Sequence, residues 1–66
     1  MSIYEIAKIL QERDGVSYNE AMDAIERCQE ELNLIVEGGG SYDEAEDCVA
    51  YWLGLEPDYL MALLDY

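Results

Sequence analysis

The chain is expected to be all-α, a small antiparallel bundle of three to four helices. Three observations predict this. Serine stands three residues before glutamate at Ser2 and Glu5, Ser17 and Glu20, and Ser41 and Glu44, the reciprocal arrangement in which two side chains satisfy the orphan amides of a helix start. Between these starts and the glycines that follow them, apolar residues recur three and four positions apart. No segment shows the alternation of a strand.

The first helix is expected from Ile3 to about Asp14. Ile3, Ile6, Ala7 and Leu10 form its apolar stripe, Ile9 widens it, and Gly15 stops it by reaching the left-handed conformation at low cost. The second should run from Tyr18 to about Glu37, with Ala21, Ile25, Cys28, Leu32 and Ile35 inward and Met22 and Val36 beside them. Gly38, Gly39 and Gly40 end it in a turn expected to be flexible and to take no part in packing. The third begins after Ser41 and reaches about Leu53, carrying Ala45, Cys48, Val49 and Trp52 on one face, with Gly54 as its stop. Pro57 suits the first position of a short last helix reaching about Leu64. Leu60, Leu63 and Leu64 point inward there, and Leu55 can staple onto Leu60.

At 66 residues, residues 1–66 are read as one helical domain. A chain of this size buries only roughly 60% of its unfolded surface and is marginal in stability. Its 52% hydrophobic content nevertheless exceeds what a disordered acidic tail would carry. The segments from Ser17 to Ile25 and from Ser41 to Val49 follow a similar order of residue types. Capping and the core stripe account for most of that likeness.

Cys28 and Cys48 fall on apolar helix faces and lack the spacing of a zinc or redox motif. A disulfide between them is possible but unforced; buried reduced thiols are the preferred reading, and they fit a cytosolic protein. The chain opens without a basic segment leading into an apolar run, and no stretch approaches 18 apolar residues. The expectation is cytoplasmic, without membrane contact.

Sixteen acidic residues face three basic ones, with no histidine, for a net charge of -13. Carboxylates at this density repel one another, which destabilises the compact state while keeping it soluble. Some have a local role, since Asp43, Glu44, Glu46 and Asp47 occupy the first two turns of the third helix, where the dipole favours them. The rest follow outer faces: Asp23, Glu26, Glu30 and, farther on, Glu37 line the second helix, with Glu20, Arg27 and Glu31 adjoining. Two readings stand side by side, a solvated face that confers solubility and an electrostatic docking face for a basic groove on another protein.

Without histidine, the usual general base and most nucleophile triads are absent, and nothing predicts a cleft that would hold two acids with separated pKa values. No catalytic residue, cofactor site or metal site is assigned, because the Asp43 to Asp47 cluster lacks the loop spacing of an EF-hand. The triple glycine sits among Glu37, Asp43 and Glu44 and is no phosphate cradle. Direct nucleic-acid binding opposes the sign of the charge. The reverse idea is a carboxylate array that occupies a groove built for phosphates, with aromatic side chains supplying apolar contact. Of six tyrosines, Tyr4, Tyr51 and Tyr66 are the candidates for exposure; Tyr18 and Tyr42 lie over the bundle edge, and Tyr59 and Trp52 are assigned to the core.

The segment Leu53-Gly-Leu-Glu-Pro-Asp-Tyr-Leu60 and the opening Tyr4-Glu-Ile-Ala-Lys-Ile-Leu10 resemble small acidic proteins encoded by bacteriophages and other mobile elements. In size and charge the chain is also similar to anti-CRISPR and anti-restriction inhibitors, several classes of which are DNA mimics. That likeness rests on no shared motif and carries over no functional residue. It implies a non-enzymatic inhibitor of a nucleic-acid-handling defence complex, such as a nuclease. Asp23, Glu26, Glu30, Asp43, Glu44 and Asp47 would form the negative face, with Tyr4 or Tyr51 as anchor. Two further readings are a homo-oligomeric accessory or structural protein, for which Met22, Leu34, Val36 and Met61 extend beyond one narrow core face, and adaptation to high salt, which the large aliphatic residues do not support.

Overall fold

Serine caps, apolar stripes and glycine stops place the helices as the sequence predicts. The computed structural model describes residues 2–64. Helix α1 is Ile3–Asp14, α2 is Tyr18–Glu37 and α3 is Tyr42–Leu53; a 3-10 turn, Pro57–Tyr59, leads into α4, Leu60–Leu64. Among the described residues there is no strand. Gly15 and Gly54 close α1 and α3 in the left-handed conformation, at φ 70° and 63°.

All three serines accept a hydrogen bond from the backbone amide three residues on, at Glu5, Glu20 and Glu44. Only at Ser17 is the reciprocal bond present, the Ser17 amide donating to Glu20 Oε1 at 3.2 Å. The expected pairs at Ser2 and Ser41 are therefore half formed. At Ser41 the reason is visible: the Glu44 carboxylate lies over Gly40 instead, 2.9 Å from where a Cβ on that glycine would sit.

The triple glycine is also more tightly packed than expected. Gly39 turns at φ 77°, its amide donates to Val36 O at 3.2 Å, and the Gly40 amide donates to Ile35 O at 2.7 Å. This pair of bonds is the Schellman closure of a helix. A methyl group on Gly40 would lie 2.6 Å from Ile35 Cγ2, so the missing side chain there is a packing requirement.

Short turns make α1 and α2, and then α2 and α3, antiparallel neighbours. Registry between α2 and α3 is fixed near their middles, where Cys48 Sγ lies 3.9 Å from Cys28 O. The core runs through Ile6, Ile25, Cys28, Leu32, Val49, Leu60 and Leu63, all fully buried. Each such aliphatic side chain contributes about 1.5–3 kcal/mol of transfer free energy. Leu55 is buried beside Leu60 in the same cluster, and Tyr59 packs partly against it. No charged or polar residue is buried among the described residues.

Trp52 departs from the expected stripe. Leu53 enters the core in its place and the indole stays 36% exposed. The buried set Ala45, Cys48, Val49 and Leu53 is spaced three, one and four residues apart. On a helical wheel Trp52 falls between Cys48 and Ala45, so its exposure comes from its place in the last turn of α3, where it borders open space between helix ends.

Two polar bridges join helices that are distant in sequence. Gln29 of α2 donates to Leu63 O at 3.1 Å, tying down the end of α4. Arg13 reaches across from the end of α1, its Nη2 donating to Leu53 O at 2.7 Å and its Nη1 to Gly54 O at 3.0 Å. It thereby satisfies carbonyls that the end of α3 leaves without helical partners.

Candidate functional site

The surface of the described residues carries acidic stripes and a cleft. At 3.6 residues per turn, Asp23, Glu26 and Glu30 fall within about a sixth of the circumference of α2, at intervals of about 4.5 and 6 Å along its axis. All three are exposed. They lie opposite the buried line of Ala21, Ile25, Cys28 and Leu32. Asp23 is held by Arg27 at 3.0 Å, an i,i+4 pair whose two side chains are each 62% exposed. Among the described residues Glu26 and Glu30 form no ion pair, and Leu34, one turn beyond Glu30, is 63% exposed.

Asp43, Glu44 and Asp47 are exposed along the first turns of α3. The contact between Cys48 and Cys28 sets which side of α2 faces α3, and the acid of α2 on that side is Glu31, whose charge raises the Cys48 pKa as a lesser contribution after burial. The outer acids of α2 point away from that seam. Thus Glu31 stands near Cys48 of α3, while Asp23, Glu26 and Glu30 form a stripe on another side of α2.

Tyr4 and Tyr51 are exposed, at 62% and 82%. Tyr4 belongs to the first turn of α1 and Tyr51 to the last turn of α3. Tyr51 meets Trp52 edge to face, with ring centroids 5.5 Å apart and planes at 90°. Tyr18 and Tyr42 are exposed as well, and Tyr66 lies outside the described residues.

Trp52 marks the cleft. The end of α1, the first turns of α2 and the end of α3 enclose an open space of about 300 Å³. Leu10 and Ala21 form its buried floor; Val16, Ala24 and Trp52 form its walls, and Arg13, Asp14 and Glu20 stand at its edge. The Arg13 guanidinium is largely consumed. Nε and Nη2 grip both Asp14 oxygens at 2.8 and 2.7 Å, besides the two carbonyls of α3. This mutual hydrogen bond raises the Arg13 pKa and lowers that of Asp14. A cleft was not legible in the sequence, because it depends on Arg13 meeting residues about forty positions away; the one available signal was the aromatic pair Tyr51-Trp52, one residue short of the helix-ending Gly54.

Both cysteines are free and buried. Burial, reinforced by the neighbouring Cys48, pushes the Cys28 thiol up to about 12, and burial also raises Cys48. These are packing residues in the sense expected of thiols on a core stripe. Among the described residues, no group of three or more acids and cysteines is placed to hold a metal ion. No helix among them is long and apolar enough to cross a membrane. No protein-family model, no curated protein and no solved structure matches the chain.

Proposed function

We propose that this protein is a non-enzymatic acidic binding module that occupies a basic groove on a nucleic-acid-handling protein. The type of partner is a nuclease of a host defence system, CRISPR or restriction, inhibited in the host cytoplasm by a phage-type protein. The observation that carries this reading is charge per length. Of the sixteen acidic residues, all but Asp65 lie among the described residues, on a body 34 Å long and 18–19 Å across, about one for every 2 Å, whereas duplex DNA presents one phosphate per about 1.7 Å of axis. A groove that balances a duplex would meet a similar density here. Acids on more than one side of the α2–α3 hairpin suit a groove that wraps its ligand.

Competition tests this. The protein is expected to displace duplex DNA from a susceptible nuclease complex, and Asp23→Asn, Glu26→Gln and Glu30→Gln combined should weaken displacement on the order of tenfold, mostly through association rate. Undiminished binding by that variant, or binding to a complex whose groove is already filled, removes mimicry. A second reading has its own observation: Leu34, Val36 and Met61 are all more than half exposed, as an accessory protein that assembles with copies of itself would require. Light scattering separates the two. In about 1 M NaCl, where the Debye length falls to about 3 Å, a persistent monomer excludes the oligomer.

A further inference from the structure

We propose that the cleft beside Trp52 is the receptor for a single cationic side chain, an arginine or lysine, presented by the partner. The inference rests on the reading of a basic partner only for the source of that side chain. About 300 Å³ lies at the low end of ligand-site volumes, which suits one long side chain entering from solvent.

The lining matches such a side chain along its length. Leu10, Ala21 and Ala24 give the floor and inner wall an apolar character suited to an aliphatic stem, since the stems of arginine and lysine bury readily while the head stays wet. One wall is Trp52, the aromatic residue most favourable to a cation, and Glu20 stands on the edge. Oε1 of Glu20 is committed to the Ser17 amide at 3.2 Å. Oε2 is left to receive an incoming N–H.

Arg13 does not oppose this occupant. Its charge is matched by Asp14 through two short hydrogen bonds, and two further N–H groups are spent on Leu53 O and Gly54 O. The same commitments leave Arg13 little with which to hold an anion. The net charge of -13 draws cations and repels carboxylates and phosphates at every distance within screening range. A purely apolar side chain would fill the floor but gain nothing from Glu20 or from the field. The position also departs from pattern in a telling way: an indole that the helical stripe assigns to the core is instead held at a rim, beside the exposed Tyr51 ring.

The test uses the full chain and three small probes, acetyl-arginine amide, acetyl-norleucine amide and acetyl-glutamate amide, followed through the backbone amide shifts of Val16, Ala24 and Gly54. Arginine amide should shift these residues saturably and bind at least several-fold more tightly than norleucine amide, with no binding of the glutamate probe. Trp52→Ala should weaken it about tenfold, from loss of cation–π and apolar contact. Because that variant removes a large side chain, Glu20→Gln is the companion. Glutamine can keep the capping arrangement while losing the charge, and it should weaken arginine amide about threefold with unchanged circular dichroism. Equal affinity for norleucine amide, an unaltered constant in Glu20→Gln, or shifts spread evenly over the Asp23, Glu26 and Glu30 stripe would each overturn the proposal. Groove competition depends on those outer acids and a whole partner, so either experiment can fail while the other succeeds.

Discussion

Replacing Arg13 by alanine removes a brace between the end of α1 and the end of α3, and replacing Arg27 removes the same charge without touching any brace. Both variants move the net charge by the same single unit, so general repulsion changes equally. Arg13 donates two hydrogen bonds to backbone carbonyls, at 2.7 and 3.0 Å. A typical intramolecular bond nets about 0.5–1.5 kcal/mol, and because the side chain is 41% exposed the pair is placed at about 1–2 kcal/mol. The Asp14 contact adds little, since both side chains are 41% exposed and water screens the pair. Arg27 has the i,i+4 contact with Asp23, in a class that measures about 0.3–0.5 kcal/mol. The expected gap is about 1 kcal/mol, or about 4–8 °C in midpoint for a domain of this size. Thermal unfolding followed by far-ultraviolet circular dichroism, at one protein concentration and one salt concentration, reads it directly. Equal loss in the two variants would show that repulsion, not the brace, governs stability and would refute the reasoning. Arg13→Lys should fall between wild type and alanine, because a lysine keeps the charge without the planar fork.

Four further outcomes are expected. Raising NaCl at neutral pH should raise the midpoint, since screening relieves repulsion among carboxylates that have few cationic partners; a salt-independent midpoint would contradict this. Iodoacetamide at mildly alkaline pH should leave Cys28 and Cys48 unmodified in the folded chain and alkylate both on unfolding. The Cys28 thiol is raised to about 12 from an ordinary value of about 8.5, so its contribution to stability is complete below about pH 8.5 and is lost as pH climbs toward 12. The excess alkaline destabilisation of wild type over Cys28→Ala measures it. Leu60→Ala, at a fully buried position, should cost about 2–5 kcal/mol. That is a large part of the roughly 3–10 kcal/mol available to a chain of this length, so extensive unfolding at room temperature is expected by circular dichroism.

The helix ends were legible because each depends on one or two neighbouring residues: a serine whose oxygen meets the amide three positions on, and a glycine able to turn left. The core positions of α1 and α2 followed from spacing alone for the same reason. Trp52 did not, because the wheel places it within the buried arc of α3 and only the fold shows that the last turn of α3 runs past the core to the ends of α1 and α2. Nor did Arg13, whose partners are set by the antiparallel return of α3. Gly40 was misjudged as slack, since only the fold brings the Ile35 side chain against it. Of the candidate site, exposure of the acids and of Tyr4 and Tyr51 was readable from the helical wheel. Their division between two sides of the hairpin required knowing which flank of α2 receives α3.

Helix α2 is the middle member of two consecutive hairpins, each closed by a turn of only a few residues, so most of the bundle is built from segments adjacent in the chain. Such local pairing gives a low contact order, and helical domains of this kind fold in microseconds to milliseconds. Synthesis, at about 5–20 residues per second, is far slower. The limiting step between translation and a finished acidic surface is therefore the emergence of α4 itself, whose Leu60 and Leu63 complete the core; the acidic faces of α1, α2 and α3 are already made by then and wait only on that closure.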